Sequence, residues 1–189
     1  MLIPILNLTK DQIEAALPRV SVGLAKYTWL QAALTGRDIS RDTEYQKRFG
    51  GFYRVRRNSA WRSAYFQILE QAKTAPISFE EALRSIHAAT GRVEASFASK
   101  LIATLDTSQP IIDSVVLRNL GLRLPNQGAS DRFAGVGSLH QQLGELYSEY
   151  LASALGCDLV AQFRRAYPIA QITEGKMLDF VLWQSRATA

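Results

Sequence analysis

Apolar residues recur every three or four positions in one short segment after another, and no run alternates apolar with polar over a strand's length. Ser78 to Ile86 is the clearest case. Ser78 stands where a helix N-cap belongs, Glu81 three residues on completes a capping box, and Phe79, Ala82, Leu83 and Ile86 share one face. Thr9 and Gln12 write the same signature at the head of residues 9 to 17, which Pro18 ends or kinks. Residues 21 to 35 have helical spacing up to Gly36, and Ser40 to Phe49 reads as a polar helix broken by Gly50-Gly51. Asn58 or Ser59 caps a helix to about Ala72. Further helices are expected over 94 to 105, 114 to 120, 139 to 155 (stopped by Gly156), 158 to 167 and 173 to 184. Leu122 to Ser138, rich in Gly, Ser, Asn and Pro, reads as the longest loop. The expectation is an all-α fold of about nine helices.

The 189 residues suit one domain, or two small lobes around one cleft. A single cysteine, Cys157, excludes an intramolecular disulfide and a cysteine-based zinc site; with only His87 and His140, a histidine metal cluster is not expected either, and no cofactor is called for. Residues 1 to 12 lack the basic start and apolar length of a signal peptide, and no window reaches the roughly 20 apolar residues of a membrane span, so a cytoplasmic protein without a membrane partner is expected. Net charge is +5, and it is concentrated. Between Arg41 and Arg62 lie seven basic and two acidic residues, a balance of +5, interleaved with Phe52, Tyr53 and Trp61. Arg54, Arg56 and Arg57 are candidates for phosphate contact, and Phe52 or Tyr53 for lining a base pocket; the alternative is a solvated arginine face over ordinary aromatic core.

Thr90 to Leu122 carries the most specific arrangement. A glycine turn (Gly91-Arg92-Val93) joins two helices, a polar loop follows, and Asp113 stands alone before a third helix. Asp113 has two readings, a helix N-cap or a carboxylate at the mouth of a cleft, and the two are compatible because a cap rigidifies the carboxylate. Lys100 reads as a solvated helix lysine, or as a group approaching Asp113 or a DNA backbone. His87 belongs to a helix end, His140 to a helix start, and Asp179 to a structural hydrogen bond. Gly135 and Gly137 lack the preceding strand of a dinucleotide fingerprint.

Four segments, Phe52 to Arg62, Ser96 to Asp106, Pro110 to Leu122 and Met177 to Gln184, taken in order and spacing, resemble the helix-hairpin-helix DNA glycosylase superfamily, and within it the compact bacterial 8-oxoguanine DNA glycosylase-like proteins. The resemblance implies a single domain over residues 1 to 189: two helical lobes about a central cleft, a central lobe near 59 to 139, and a second lobe of N- and C-terminal helices. It implies double-stranded DNA as partner, gripped by a hairpin at Gly91, Arg92 and Val93. The base, an oxidised purine being one candidate, is flipped into the cleft, and its N-glycosidic bond is hydrolysed with Asp113 as key carboxylate.

The chain departs from the family pattern twice. The usual Gly-x-Gly of the hairpin is Gly91-Arg92-Val93, with one glycine. Ala95 stands at the lysine position of strand-cutting members, and Lys100, five residues on, lies roughly 140° further around an α-helix. The resemblance therefore implies water as nucleophile rather than a lysine Schiff base. A non-catalytic DNA-binding or interaction protein on the same fold is the competing expectation.

Overall fold

The computed structural model describes residues 6 to 185, so the signal-peptide reading of residues 1 to 12 lies partly outside the described residues. Ten α-helices and one 3-10 turn account for the regular structure, with no strand among the described residues. None of these helices is long and apolar enough to cross a membrane.

The helices are α1 (Lys10–Ala16), α2 (Ser21–Leu34), α3 (Thr43–Tyr53), α4 (Ser59–Thr74), α5 (Phe79–Thr90), α6 (Ala95–Leu105), α7 (Ser114–Asn119), α8 (Arg132–Ala152), α9 (Ala154–Ala166) and α10 (Glu174–Gln184). Both expected capping boxes form, Thr9 with Gln12 and Ser78 with Glu81. Asn58, Asp113 and Thr173 cap α4, α7 and α10 with their side chains. Helices α4, α5 and α6 pack on one another, and α5 also meets α8. Helix α10 lies against α1, α7, α8 and α9. Its residues Lys176–Leu182 are all buried, and so are Ala95 and Phe97–Thr104 of α6; these two helices run through the middle of one continuous core.

Three boundaries differ from the sequence reading. Helix α3 does not break at Gly50-Gly51 but runs through both glycines to Tyr53. Two helical glycines cost about 1 kcal/mol each relative to alanine, and the final turn offsets this by burying Phe52 and Tyr53, whose rings meet Phe49 and Trp183. The helix stops instead at Arg54, in the left-handed region at φ 54°. The amides of Arg54 and Val55 both donate to Gly50 O, and buried Val55 closes the turn.

Helix α8 starts at Arg132, seven residues before the expected Leu139. Gly135 and Gly137 are therefore helical; a Cβ on Gly135 would come within 2.9 Å of Pro125 Cγ, and one on Gly137 within 3.1 Å of Glu80 Oε1. The long loop shrinks to residues 120 to 131. Gly156 is not a stop. It sits in the first turn of α9, where a Cβ would lie 2.0 Å from Tyr150 O, so glycine there lets α9 fold back onto the end of α8.

Candidate active site

Helix α5, the turn at Gly91 and helix α6 form a helix–turn–helix pair, and Gly91 ends α5 in the left-handed region (φ 71°) with its amide on His87 O. Gly91 and Arg92 are exposed and Val93 is half-buried. The second element of the unit, the segment leading into α7, is pinned to α6: Ile112 N–H donates to the buried Ser99 Oγ at 2.9 Å. Before it, Asp106 accepts from Ser108 and Gln109 and rounds off the loop. After it, Asn119 Nδ2 donates to the carbonyls of Leu182 and Ser185 and fastens α7 to α10.

These contacts set Asp113 on the side of α6 that carries Lys100. Asp113 is half-buried; one carboxylate oxygen caps α7 by accepting from Val115 N–H at 2.8 Å. The other oxygen makes no hydrogen bond within the described residues. Lys100 is not the solvated lysine that is the commonest reading of such a residue. It is 5% exposed, its ammonium donates to Ser96 Oγ at 3.0 Å, and it stands 5.2 Å from the Phe97 ring centre and 5.8 Å from that of Tyr53. Burial pushes its pKa below the usual lysine value, while the nearby Asp113 carboxylate opposes that shift without forming an ion pair. The position aligned with the family's lysine, Ala95, is buried in the core. The lysine that feels the charge of Asp113 is Lys100.

Phe52 and Tyr53 are core aromatics at the end of α3, and they also wall a cavity. Trp183, Phe180, Lys176, Asp179, Ile111 and Val116 complete the wall; Asp113 itself does not line it. The cavity measures about 10 Å3, room for one water and far below the several hundred Å3 of ligand pockets. A nucleobase enters only if the wall moves. Behind it, Asp179 accepts from Tyr147 OH at 2.6 Å and from Lys176 Nζ at 2.7 Å, all three buried. No sequence pattern tied Tyr147 or Lys176 to this region.

The three arginines expected on DNA separate. Arg54 and Arg56 are exposed and make no ion pair among the described residues, and so is Arg92. Arg57 is half-buried and occupied. Its guanidinium makes three hydrogen bonds of 2.9 to 3.1 Å to the Glu94 carboxylate and rests over Phe97. Glu94 was not a candidate from sequence. Arg57, Arg92, Val93, Glu94 and Gln127 line an open groove of about 460 Å3 beside the turn.

His87 sits in the last turn of α5, edge-on to Phe133. His140 is buried inside α8, stacked 3.9 Å from Phe79, and burial pulls its pKa down to about 4. Among the described residues no three His, Cys, Asp or Glu side chains form a metal-binding group. Comparison with protein-family models, curated proteins and solved structures gives no match for this chain.

Proposed function

We propose that this chain is a helix-hairpin-helix DNA glycosylase, acting on a flipped base of double-stranded DNA, an oxidised purine being one candidate, with Asp113 as the key carboxylate and Lys100 within the reach of its charge. In this reading the two lobes are the α4–α6 group and the α10-centred group, with the cleft between them at Asp113. One observation carries the reading. Buried Lys100, whose ammonium lies 5.8 Å from the ring of the cavity residue Tyr53, feels the charge of Asp113, a half-buried carboxylate that caps α7 with one oxygen and stands in sequence between the cavity residues Ile111 and Val116. A buried, incompletely paired charge such as that of Lys100 is a mark of functional sites.

The chemistry follows from charge. As the glycosidic bond breaks, positive charge builds on the sugar, and the fixed Asp113 carboxylate stabilises it while orienting or deprotonating water. The α7 cap holds the carboxylate in place at no cost of reorganisation. Lys100 supports two roles, an electrostatic one or that of an amine nucleophile. As nucleophile, its neutral amine forms a bond to the sugar's C1′ while the base leaves with the bonding electrons; the amine's proton passes through Asp113 to the departing base, and opening of the sugar ring at C1′–O4′ gives the imine that borohydride reduces.

The test is base release from duplexes carrying a panel of oxidised and alkylated bases, with abasic sites read by alkaline cleavage. Asp113→Asn is expected to lower release about 10²- to 10³-fold, the scale for removing one preorganised electrostatic group, with binding retained. Borohydride trapping of a protein–DNA adduct, lost in Lys100→Arg, assigns the nucleophile to Lys100; no adduct assigns it to water. A second reading, a non-catalytic DNA-binding protein, is favoured by the small cavity. Salt-sensitive duplex binding without base release from any duplex would establish it in place of the first.

A further inference from the structure

Arg57 is the one arginine of the basic segment that is fixed in place at the hairpin. Its guanidinium lies over the rings of Phe97 and, at 5.8 Å, Trp61, and both its Nε and Nη2 donate to the same carboxylate, Glu94. Carboxylate and phosphate oxygens present the same paired acceptors to a guanidinium fork. Glu94 stands in the residue just before α6, within the groove that Arg92, Val93 and Gln127 complete, and its side chain does not cap that helix. A carboxylate placed there costs a nucleic-acid-binding surface twice: it neutralises Arg57 and it repels an incoming strand. Elsewhere in the groove the charge is positive and free, on exposed Arg92.

Resting on the DNA reading above, we infer that Glu94 is an internal occupant of a phosphate site at Arg57, an autoinhibitory latch that a strand phosphate displaces. The aromatic shelf keeps the guanidinium in place when the carboxylate leaves, so the site is preformed and only its occupant changes. Binding then includes the loss of one protein ion pair for one phosphate pair. The latch lowers affinity for any duplex and raises the relative weight of contacts made elsewhere, at the flipped nucleotide above all.

The experiment measures duplex binding by fluorescence anisotropy over a salt series for the wild type, Glu94→Gln, Arg57→Gln and the double variant. Glu94→Gln is expected to bind about two- to five-fold tighter, the scale of a partly exposed ion pair, with a log–log salt slope steeper by about 0.9, one phosphate's worth of released counterion. In the Arg57→Gln background the same change is expected to have little effect. Glu94→Ser, which removes the charge and supplies a helix cap, is the second variant should the glutamine destabilise α6; it is expected to bind tighter too. Unchanged or weaker binding by both Glu94 variants overturns the latch, and so does an equal gain with and without Arg57, which would be a general charge effect. If the wild type and all variants fail to bind duplex DNA at low salt, the DNA reading falls and the latch with it.

Discussion

Two lysine–aspartate arrangements are built on opposite terms. Lys176 and Asp179 sit one turn apart on α10 at 2.7 Å, and Tyr147 occupies the other carboxylate oxygen. Every strong partner is present. Lys100 and Asp113 come from different elements, form no ion pair, and hold each other only through the field between them; the lysine has one hydroxyl as a partner. Burying a lysine costs several kcal/mol unless its charge is met. The first arrangement meets it with protein groups. The second leaves donors and a carboxylate oxygen free, which is the arrangement that a substrate could complete.

The comparison is open to breakage by stability measurements. Lys176→Met strands the Asp179 charge in the core and is expected to cost about 3–5 kcal/mol in urea unfolding followed by circular dichroism. Lys100→Met fills a similar volume, removes a poorly compensated ammonium and is expected to change stability by less than about 1 kcal/mol. The pH dependence separates them as well. A lysine whose folded pKa is lowered binds its proton more tightly when unfolded, so wild-type stability gains a contribution as pH climbs from the lowered value towards 10.5. Lys100→Met is expected to lack that rise. A cost for Lys100→Met equal to that of Lys176→Met would make Lys100 a structural residue and remove it from the site.

His140 falls between the two. It stacks on Phe79, and its Nε2 is buried without a partner among the described residues; a backbone hydrogen bond at Pro110 opposes the effect of burial without overcoming it. Its folded pKa of about 4 lies below the ordinary 6.5, so the unfolded chain takes up the proton first as pH falls. The stability it contributes is fully present above pH 6.5 and is lost as pH drops towards 4. At 1.36 kcal/mol per pKa unit the loss is about 3 kcal/mol. His140→Leu is expected to flatten that part of the stability–pH curve; a curve of unchanged shape would mean that the imidazole finds a partner for its charge.

How much of this was legible depended on whether a signal is local. Caps are local: Ser78 with Glu81 and Thr9 with Gln12 are read from four residues each, and both form. Asp113 as a cap belongs with them. What escaped was set by partners distant in sequence. The glycines at 50, 51 and 156 look like breaks until Trp183 and Tyr150 show what they pack beside or approach. Lys100 looked solvated because amphipathic spacing was assumed, yet α6 holds one charged residue in eleven and is buried nearly all round, so its periodicity carries no outer face. That scarcity of charge was the available signal, and α10 gives the same one over Met177–Trp183, with Asp179 its lone charge. Glu94 could not be paired with Arg57 across 37 residues by any pattern in the chain.

The smallest expected effect concerns backbone rather than side chain. Arg54 is the only non-glycine among the described residues with positive φ, at the left-handed stop of α3. An L-residue there costs roughly 1–2 kcal/mol relative to a conformation it prefers, and glycine escapes that cost. The turn would be better served by glycine, and the sequence spends two glycines just before it, at 50 and 51, where helix is disfavoured by them. Arg54 is exposed, carries no ion pair among the described residues, and belongs to the basic segment that the DNA reading assigns to phosphates. Arg54→Gly is accordingly expected to raise stability by about 1 kcal/mol and to weaken duplex binding with a shallower salt slope, by about 0.9 if one phosphate contact is lost. A gain in stability with unchanged binding would remove Arg54 from the interface and leave Arg56, Arg57 and Arg92 to carry it. A loss of stability would mean that the guanidinium stabilises the α3 stop itself, and the tolerated strain would then be a matter of folding alone.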